Sequence, residues 1–254
     1  MRPQCADEGE AGFPYSTTSW FFLDAVDIRS HAPVIVCFGD SITDGSGSTI
    51  NADDRWPDTL ARRLRAAGYR SAVVNQGVSA NQILHPAAYD VMQPTDGGPS
   101  ALERLDRDII GLSGVTTVIW LEGINDFGFS KAGVKDVAAG VAQGVARLRA
   151  GIPGVRVLAG LLTTAFGATM ETHGSAEVEG KRHAHNEFLR SCGLFDGLID
   201  FESPTQDPQS GGLHAHMKPN SSLGGPGAGL HPNRLGYQAM GAAIDLRLVE
   251  PARD

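Results

Sequence analysis

Strand-like apolar runs alternate with helix-period patterns along most of this chain, and that alternation limits its fold more than any other feature. Residues 33–38, 71–75, 115–121, 155–161 and 197–201 are short, apolar or β-branched runs that read as strands. Between them, Trp56, Leu60 and Leu64 are spaced four apart, which predicts a helix entered through Asp54 and Pro57. Residues 101–110 follow a helical pattern, and Val134, Val137, Ala138, Val141, Val145 and Leu148 recur at helical spacing. Residues 176–192 read as a polar, exposed helix, and residues 235–248 as a closing helix. Strands that alternate with helices imply a parallel sheet covered on both faces. Reactive groups in such sheets lie at the carboxyl ends of the strands.

Two segments stand outside this pattern. Residues 13–28 hold Trp20, Phe21, Phe22 and Leu23, so residues 1–30 read as an N-terminal extension, an added β-element on a domain spanning 31–254. Residues 203–229 are rich in Gly, Pro and Ser and read as a long loop of the kind that carries function or mobility.

Composition closes off other classes. A net charge of -8 argues against nucleic-acid partners, which require a basic surface. No apolar run approaches the roughly 18 residues of a membrane-inserted helix. The first fifteen residues are acidic and lack an apolar core, so they do not read as a signal peptide, although a processed secreted chain would look the same. The 3 cysteines, Cys5, Cys37 and Cys192, make no disulfide framework, and Cys37 reads as a buried apolar residue.

The chemistry-bearing residues gather at the strand ends. The first strand runs into Phe38-Gly39-Asp40-Ser41-Ile42-Thr43-Asp44-Gly45. A serine there is either a turn or cap residue or a nucleophile that awaits a base. The second ends in Asn75-Gln76-Gly77-Val78-Ser79, where Gly77 is either a turn glycine or a bare backbone donor. The third ends in Glu122-Gly123-Ile124-Asn125-Asp126, and Asn125 is either an Asx-turn residue or an amide donor to an oxyanion. Near the end, Gly229-Leu230-His231-Pro232-Asn233 sets a histidine before a helix that Asn233 caps, which suits a general base.

In this order, the four motifs resemble those of the SGNH/GDSL hydrolase superfamily, over residues 34 to 248. Residues 38–45 with 51–57, preceded by Ser19-Trp20-Phe21, look most like bacterial XynE-like esterases, some of which deacetylate plant polysaccharides. The resemblance implies a flavodoxin-like three-layer α/β/α sandwich with a parallel five-stranded sheet. It also implies a serine carboxylic ester hydrolase that works through an acyl-enzyme. Ser41 is then the nucleophile and His231 the base, with an oxyanion hole made by the Ser41 N–H, the Gly77 N–H and the Asn125 side chain. Asp40 and Asp126 become hydrogen-bonding supports. No cofactor and no metal are needed, and the substrate is a small-molecule or carbohydrate ester. A lysophospholipase or thioesterase, and a catalytically dead binder of acylated ligands, are the rival readings.

One position departs from the pattern. Relatives carry an aspartate three residues before the histidine, and here that residue is Ala228. A methyl group cannot accept the imidazole N–H. In serine proteases, loss of the triad carboxylate costs about 10⁴ in turnover, about 5 kcal/mol of barrier. An engineered substitution, a natural Ser–His dyad, or a substitute acid (Asp200 or Asp207) would each account for it. We favour the first, because everything around Ala228 is intact. Either way this chain is expected to be slow. Ala80 also stands where relatives often have another glycine. His214 and His216 look like a metal pair but lack companion ligands. His183 and His185 are expected in solvent, Trp56 and Trp120 in the core.

Overall fold

The structure, a computed structural model, describes residues 26–86, 97–219 and 228–250. The chain divides into two units, Met1–Ser30 and His31–Asp254. The β-element expected over residues 13–28 lies almost wholly outside the described residues, as does Cys5.

In the larger unit, five parallel strands form one sheet: β1 (Val34–Gly39), β2 (Ala72–Gly77), β3 (Val115–Leu121), β4 (Arg156–Gly160) and β5 (Gly197–Ile199). Their spatial order is β2-β1-β3-β4-β5. This is the flavodoxin order, whose switch point lies between β1 and β3. Helices follow in between: α1 (Ser41–Asp44), α2 (Trp56–Ala66), α3 (Ala101–Leu105), α4 (Ile124–Gly128), α5 (Val134–Gly151), α6 (Ala176–Ser191), α7 (Arg234–Ala243) and α8 (Leu246–Val249). Helix α2 packs with α7, whereas α3 and α6 pack with α5. These two helical groups complete the α/β three-layer sandwich.

Burial explains why the strands are so apolar. Residues 35–39 of β1 are all buried, as expected for a strand covered on both faces. Phe38 and Trp120 are register partners on β1 and β3, with ring centroids 5.2 Å apart. Such a pair adds about 1 kcal/mol beyond its buried area. Trp56 and Trp120 both lie in the core.

The structure revises several local expectations. Arg55, not Asp54, is the N-cap residue of α2, and Asp58 accepts from its backbone N–H at 3.1 Å and from its guanidinium at 2.7 Å. Asp54 instead accepts from the Thr49 N–H. The helix begun by α3 widens into a π-turn over Asp106–Ile110. The expected closing helix breaks between Ala243 and Leu246, where Ile244 is extended and Asp245 caps α8. Helix α6 is not the exposed element its polarity suggested. It buries Val178, Arg182, His185, Asn186 and Leu189. Its polar residues go inward because they find partners there: Arg182 bonds Glu202 at 2.7 Å and Glu179 at 2.6 Å, and Asn186 bonds both the Leu162 carbonyl and N–H. In the long loop, Ala215–Met217 forms a 3₁₀ turn and Gln206 bridges Leu213; residues 220–227 lie outside the described residues.

Candidate active site

Four chain segments meet at the carboxyl ends of β1, β2 and β3. The first is the turn from β1 into α1. Asp40 caps α1 by accepting from the Ile42 N–H at 2.8 Å, and Gly45 ends the helix in the left-handed region at φ 106°. Ser41 is the first residue of this one-turn helix. Its N–H therefore has no intrahelical partner, and among the described residues it has no other.

The second segment follows β2. Gly77 lies beside Gly39 in the sheet, and a Cβ there would overlap the Asp44 backbone N. The bare glycine lets α1 sit directly on the end of β2. Asn75 fastens the contact by donating to the Thr43 carbonyl at 2.8 Å and accepting from the Gly77 N–H at 2.9 Å. That second bond corrects the expectation that the Gly77 N–H faces an oxyanion, because the donor is already engaged. Further on, Val78 N–H donates to the Gly39 carbonyl at 2.9 Å, and the Asn81 carbonyl accepts from Asn125 at 2.9 Å. Between these anchors stands Ala80, at φ 58°, with its N–H free of partners among the described residues. A left-handed alanine costs about 1 kcal/mol, and such strain gathers at functional sites.

The third segment is α4, after β3. It carries Asn125 and Asp126, both buried. Asp126 accepts from the N–H groups of Ile83 at 2.8 Å and Leu84 at 3.1 Å, which ties α4 to the loop after β2.

The fourth segment brings His231 across 190 residues of sequence, placing Nε2 2.8 Å from Ser41 Oγ. Two devices hold its loop. Asn233 caps α7 through the Leu235 and Gly236 N–H groups, and its amide donates to the carbonyls of His216 and Lys218. Buried Tyr237 donates to the Ser46 carbonyl at 2.7 Å, joining α7 to the loop after α1.

Electrostatics set the protonation states. Burial pushes His231 down to about 4, so its imidazole is a free base at neutral pH. Asp40 is raised to about 7, mainly by burial, with the Ile42 N–H opposing and the neighbouring Asp126 carboxylate adding to the rise. Glu122 is raised well above the usual range by burial and then by Asp40, with Arg104 opposing. Asp126 is also raised by burial. One guanidinium therefore serves a cluster of acids. Arg104, fully buried, bonds Glu122 at 3.1 Å, Asp108 at 2.9 Å and the carbonyls of Gly39 and Gln76 at 2.9 and 2.8 Å.

The position of the expected aspartate is occupied by Ala228, whose carbonyl accepts from the Thr169 N–H at 3.1 Å. Asp200 bonds the Ser203 N–H and hydroxyl, and Asp207 bonds the Gln209 N–H and the Ser210 hydroxyl. Among the described residues no carboxylate bonds His231. His214 and His216 have ring centroids 5.2 Å apart, and no group of three metal-ligating side chains occurs among the described residues. His183 is exposed as expected, but His185 is fully buried against Phe127 and Phe188. Sequence reasoning missed Arg104, Tyr237 and His173, whose spacings match no motif.

A sheet in flavodoxin order, with a hydrogen-bonded serine and histidine above its switch point, is the framework of an α/β serine hydrolase. The chain belongs to the GDSL-like lipase/acylhydrolase family, which it matches over residues 37–239, and it is accordingly an ester hydrolase of that family. Solved structures share the fold at low identity. A carbohydrate acetylesterase family member from Sinorhizobium meliloti aligns with TM-score 0.65 at 17% identity, over 85% of this chain and 98% of its own. The inhibitor-bound aryl esterase of M. smegmatis aligns with TM-score 0.61 at 19% identity, over 84% and 96%. No curated protein matches the sequence. Among the described residues, no helix is long and apolar enough to cross a membrane.

Proposed function

We propose that this chain hydrolyses short acyl esters of small or carbohydrate alcohols through an acyl-enzyme on Ser41. The 2.8 Å contact between His231 Nε2 and Ser41 Oγ carries this reading. Ser41 Oγ attacks the ester carbonyl carbon while His231 takes the hydroxyl proton. The tetrahedral oxyanion is held by the Ser41 N–H and the Asn125 amide. With the Gly77 N–H engaged by Asn75, the Ala80 N–H, which has no partner among the described residues, is a further backbone donor in the loop after β2. The C–O bond to the alcohol then breaks, and the alcohol leaves with the proton from His231. Water, deprotonated by His231, attacks the acyl carbon; the bond from that carbon to Ser41 Oγ breaks, His231 returns the proton to Oγ, and the acid leaves.

Ala228 makes this enzyme slow. The imidazolium formed in each half-reaction lacks a carboxylate to stabilise it, and burial opposes its charge. In an Ala228→Asp background, p-nitrophenyl acetate hydrolysis is expected to rise at least about tenfold. Adding Ser41→Ala should then abolish it. Retention of activity by the Ser41→Ala variant would remove Ser41 as nucleophile. Absence of activity from the Ala228→Asp protein, together with no fluorophosphonate labelling of Ser41, would instead favour a binder of acylated ligands.

A further inference from the structure

We infer that His173 is a positioning residue that locks the amide orientation of Asn125, so that its Nδ2 donates and its Oδ1 cannot turn toward the reacting oxygen. The inference rests on the reading of Asn125 as an oxyanion donor. Asn125 Nδ2 lies 2.9 Å from the Asn81 carbonyl, and a backbone carbonyl only accepts. That contact identifies the nitrogen and puts Oδ1 on the other side, 3.0 Å from His173 Nε2. An amide oxygen only accepts, so Nε2 must carry the proton. The opposite nitrogen, Nδ1, is then the acceptor for the Thr172 hydroxyl 2.8 Å away. The chain Thr172–His173–Asn125–Asn81 thus has one consistent direction of donation. It uses one Nδ2 hydrogen and leaves the other with no acceptor among the described residues.

The ring has a built seat. His173 is fully buried. A Cβ on Gly128, three residues after Asn125 on α4, would overlap the imidazole, so the glycine makes room for the ring. The Phe129 ring meets it edge-on, with centroids 4.6 Å apart. Burial, then the neighbouring His231 and Lys131, push His173 down to about 4, which keeps the ring neutral at working pH. A flipped Asn125 would set Nδ2 against the His173 Nε2–H and Oδ1 against the Asn81 carbonyl. Both hydrogen bonds would be lost at once. Buried polar groups left without partners are costly, so the network disfavours the flip.

The test is steady-state kinetics on p-nitrophenyl acetate in the Ala228→Asp background, with three variants and one cycle. His173→Leu removes the donor and is expected to lower kcat about tenfold or more with KM within about twofold, since losing one oxyanion donor outright costs about 10²–10³. His173→Gln restores an N–H donor and should recover most of kcat. In an Asn125→Ala background, His173→Leu should have no further effect. If the two losses multiply, or if Gln fails to rescue a folded protein, His173 acts elsewhere and the inference falls. If Asn125→Ala itself leaves kcat unchanged, the oxyanion reading fails, a result separable from the failure of His173 alone. Should the Leu variant not fold, long-range ¹H–¹⁵N NMR on the unsubstituted protein decides: an Nε2–H tautomer at neutral pH supports the inference and an Nδ1–H tautomer overturns it.

Discussion

Arg104 donates to the Gly39 carbonyl at 2.9 Å, two residues ahead of Ser41, while its guanidinium lies 3.9 Å over the Phe38 ring. The same side chain reaches Gln76 at the end of β2, Glu122 at the end of β3 and, at 2.8 Å, Asn81 in the loop that also anchors Asn125. One cation therefore fixes the strand ends on which the site stands.

Replacing Arg104 by Met should destabilise the fold by about 3 kcal/mol or more, because buried acids and carbonyls lose their shared donor. Arg104→Lys should fall in between, since an ammonium keeps the charge without the planar fork. Urea denaturation at pH 7 measures both. Equal stability of the Met variant and the unsubstituted protein would show that the cluster does not hold these strand ends.

The pH dependence of kcat/KM should report His231. With its pKa near 4, the base is already free at pH 6, so the limb that belongs to His231 should fall on the acid side toward pH 4, separate from any inflection that Asp40 contributes near pH 7. Ala228→Asp places a carboxylate near the ring, which favours the imidazolium and raises its pKa. The acid limb should move to higher pH while the plateau rate increases. An unchanged acid limb would mean that residue 228 does not face the imidazole.

His185 should make the protein less stable in mild acid. Both ring nitrogens are buried with no partner among the described residues, and burial lowers the group to about 4 from 6.5. The unfolded chain therefore binds more protons between pH 6.5 and 4, and stability falls as pH drops through that window. Above pH 6.5 the neutral ring incurs no such loss. The full swing is about 3 kcal/mol. His185→Leu should remove it, so the variant's advantage in thermal melting should grow from pH 7 to pH 4.5. A constant difference across that range would contradict the burial of an unpartnered imidazole.

Gly77→Ala should cost about 2 kcal/mol or more and lower activity with it. The added methyl meets the Asp44 backbone, which has no flexible end to move aside. Thermal melting and ester hydrolysis measured together test this. A variant as stable and active as the unsubstituted chain would rule out direct seating of α1 on β2.

Parts of this molecule are legible from residue spacing because their causes are local. Strand β3 follows from an uninterrupted apolar, β-branched run, and α5 from recurrence of valine and leucine at helical intervals. Helix α6 is not legible from its residues for the opposite reason. Polarity alone says that Arg182, Asn186 and His185 face water, yet Arg182 and Asn186 find buried partners around Glu202 and Leu162, far away in sequence. In sequence, Gly77 suggests an oxyanion donor because a glycine at a strand end permits a close approach. The approach is real, but the atom that comes close is the Asp44 backbone, and the Gly77 N–H turns to Asn75.

Sequence by itself determined the alternating α/β framework, the strand ends that bear Ser41 and Asn125, the loop that bears His231, and the alanine at 228. Those features rest on side-chain chemistry and on periodicity within a few residues. Only the tertiary structure decided that His231 Nε2 meets Ser41 Oγ at 2.8 Å, that the Gly77 N–H is taken by Asn75 while the Ala80 N–H has no partner among the described residues, and that His173 holds the Asn125 amide. The physical reason is directionality. A hydrogen bond depends on where two groups from distant segments point, and packing sets that direction.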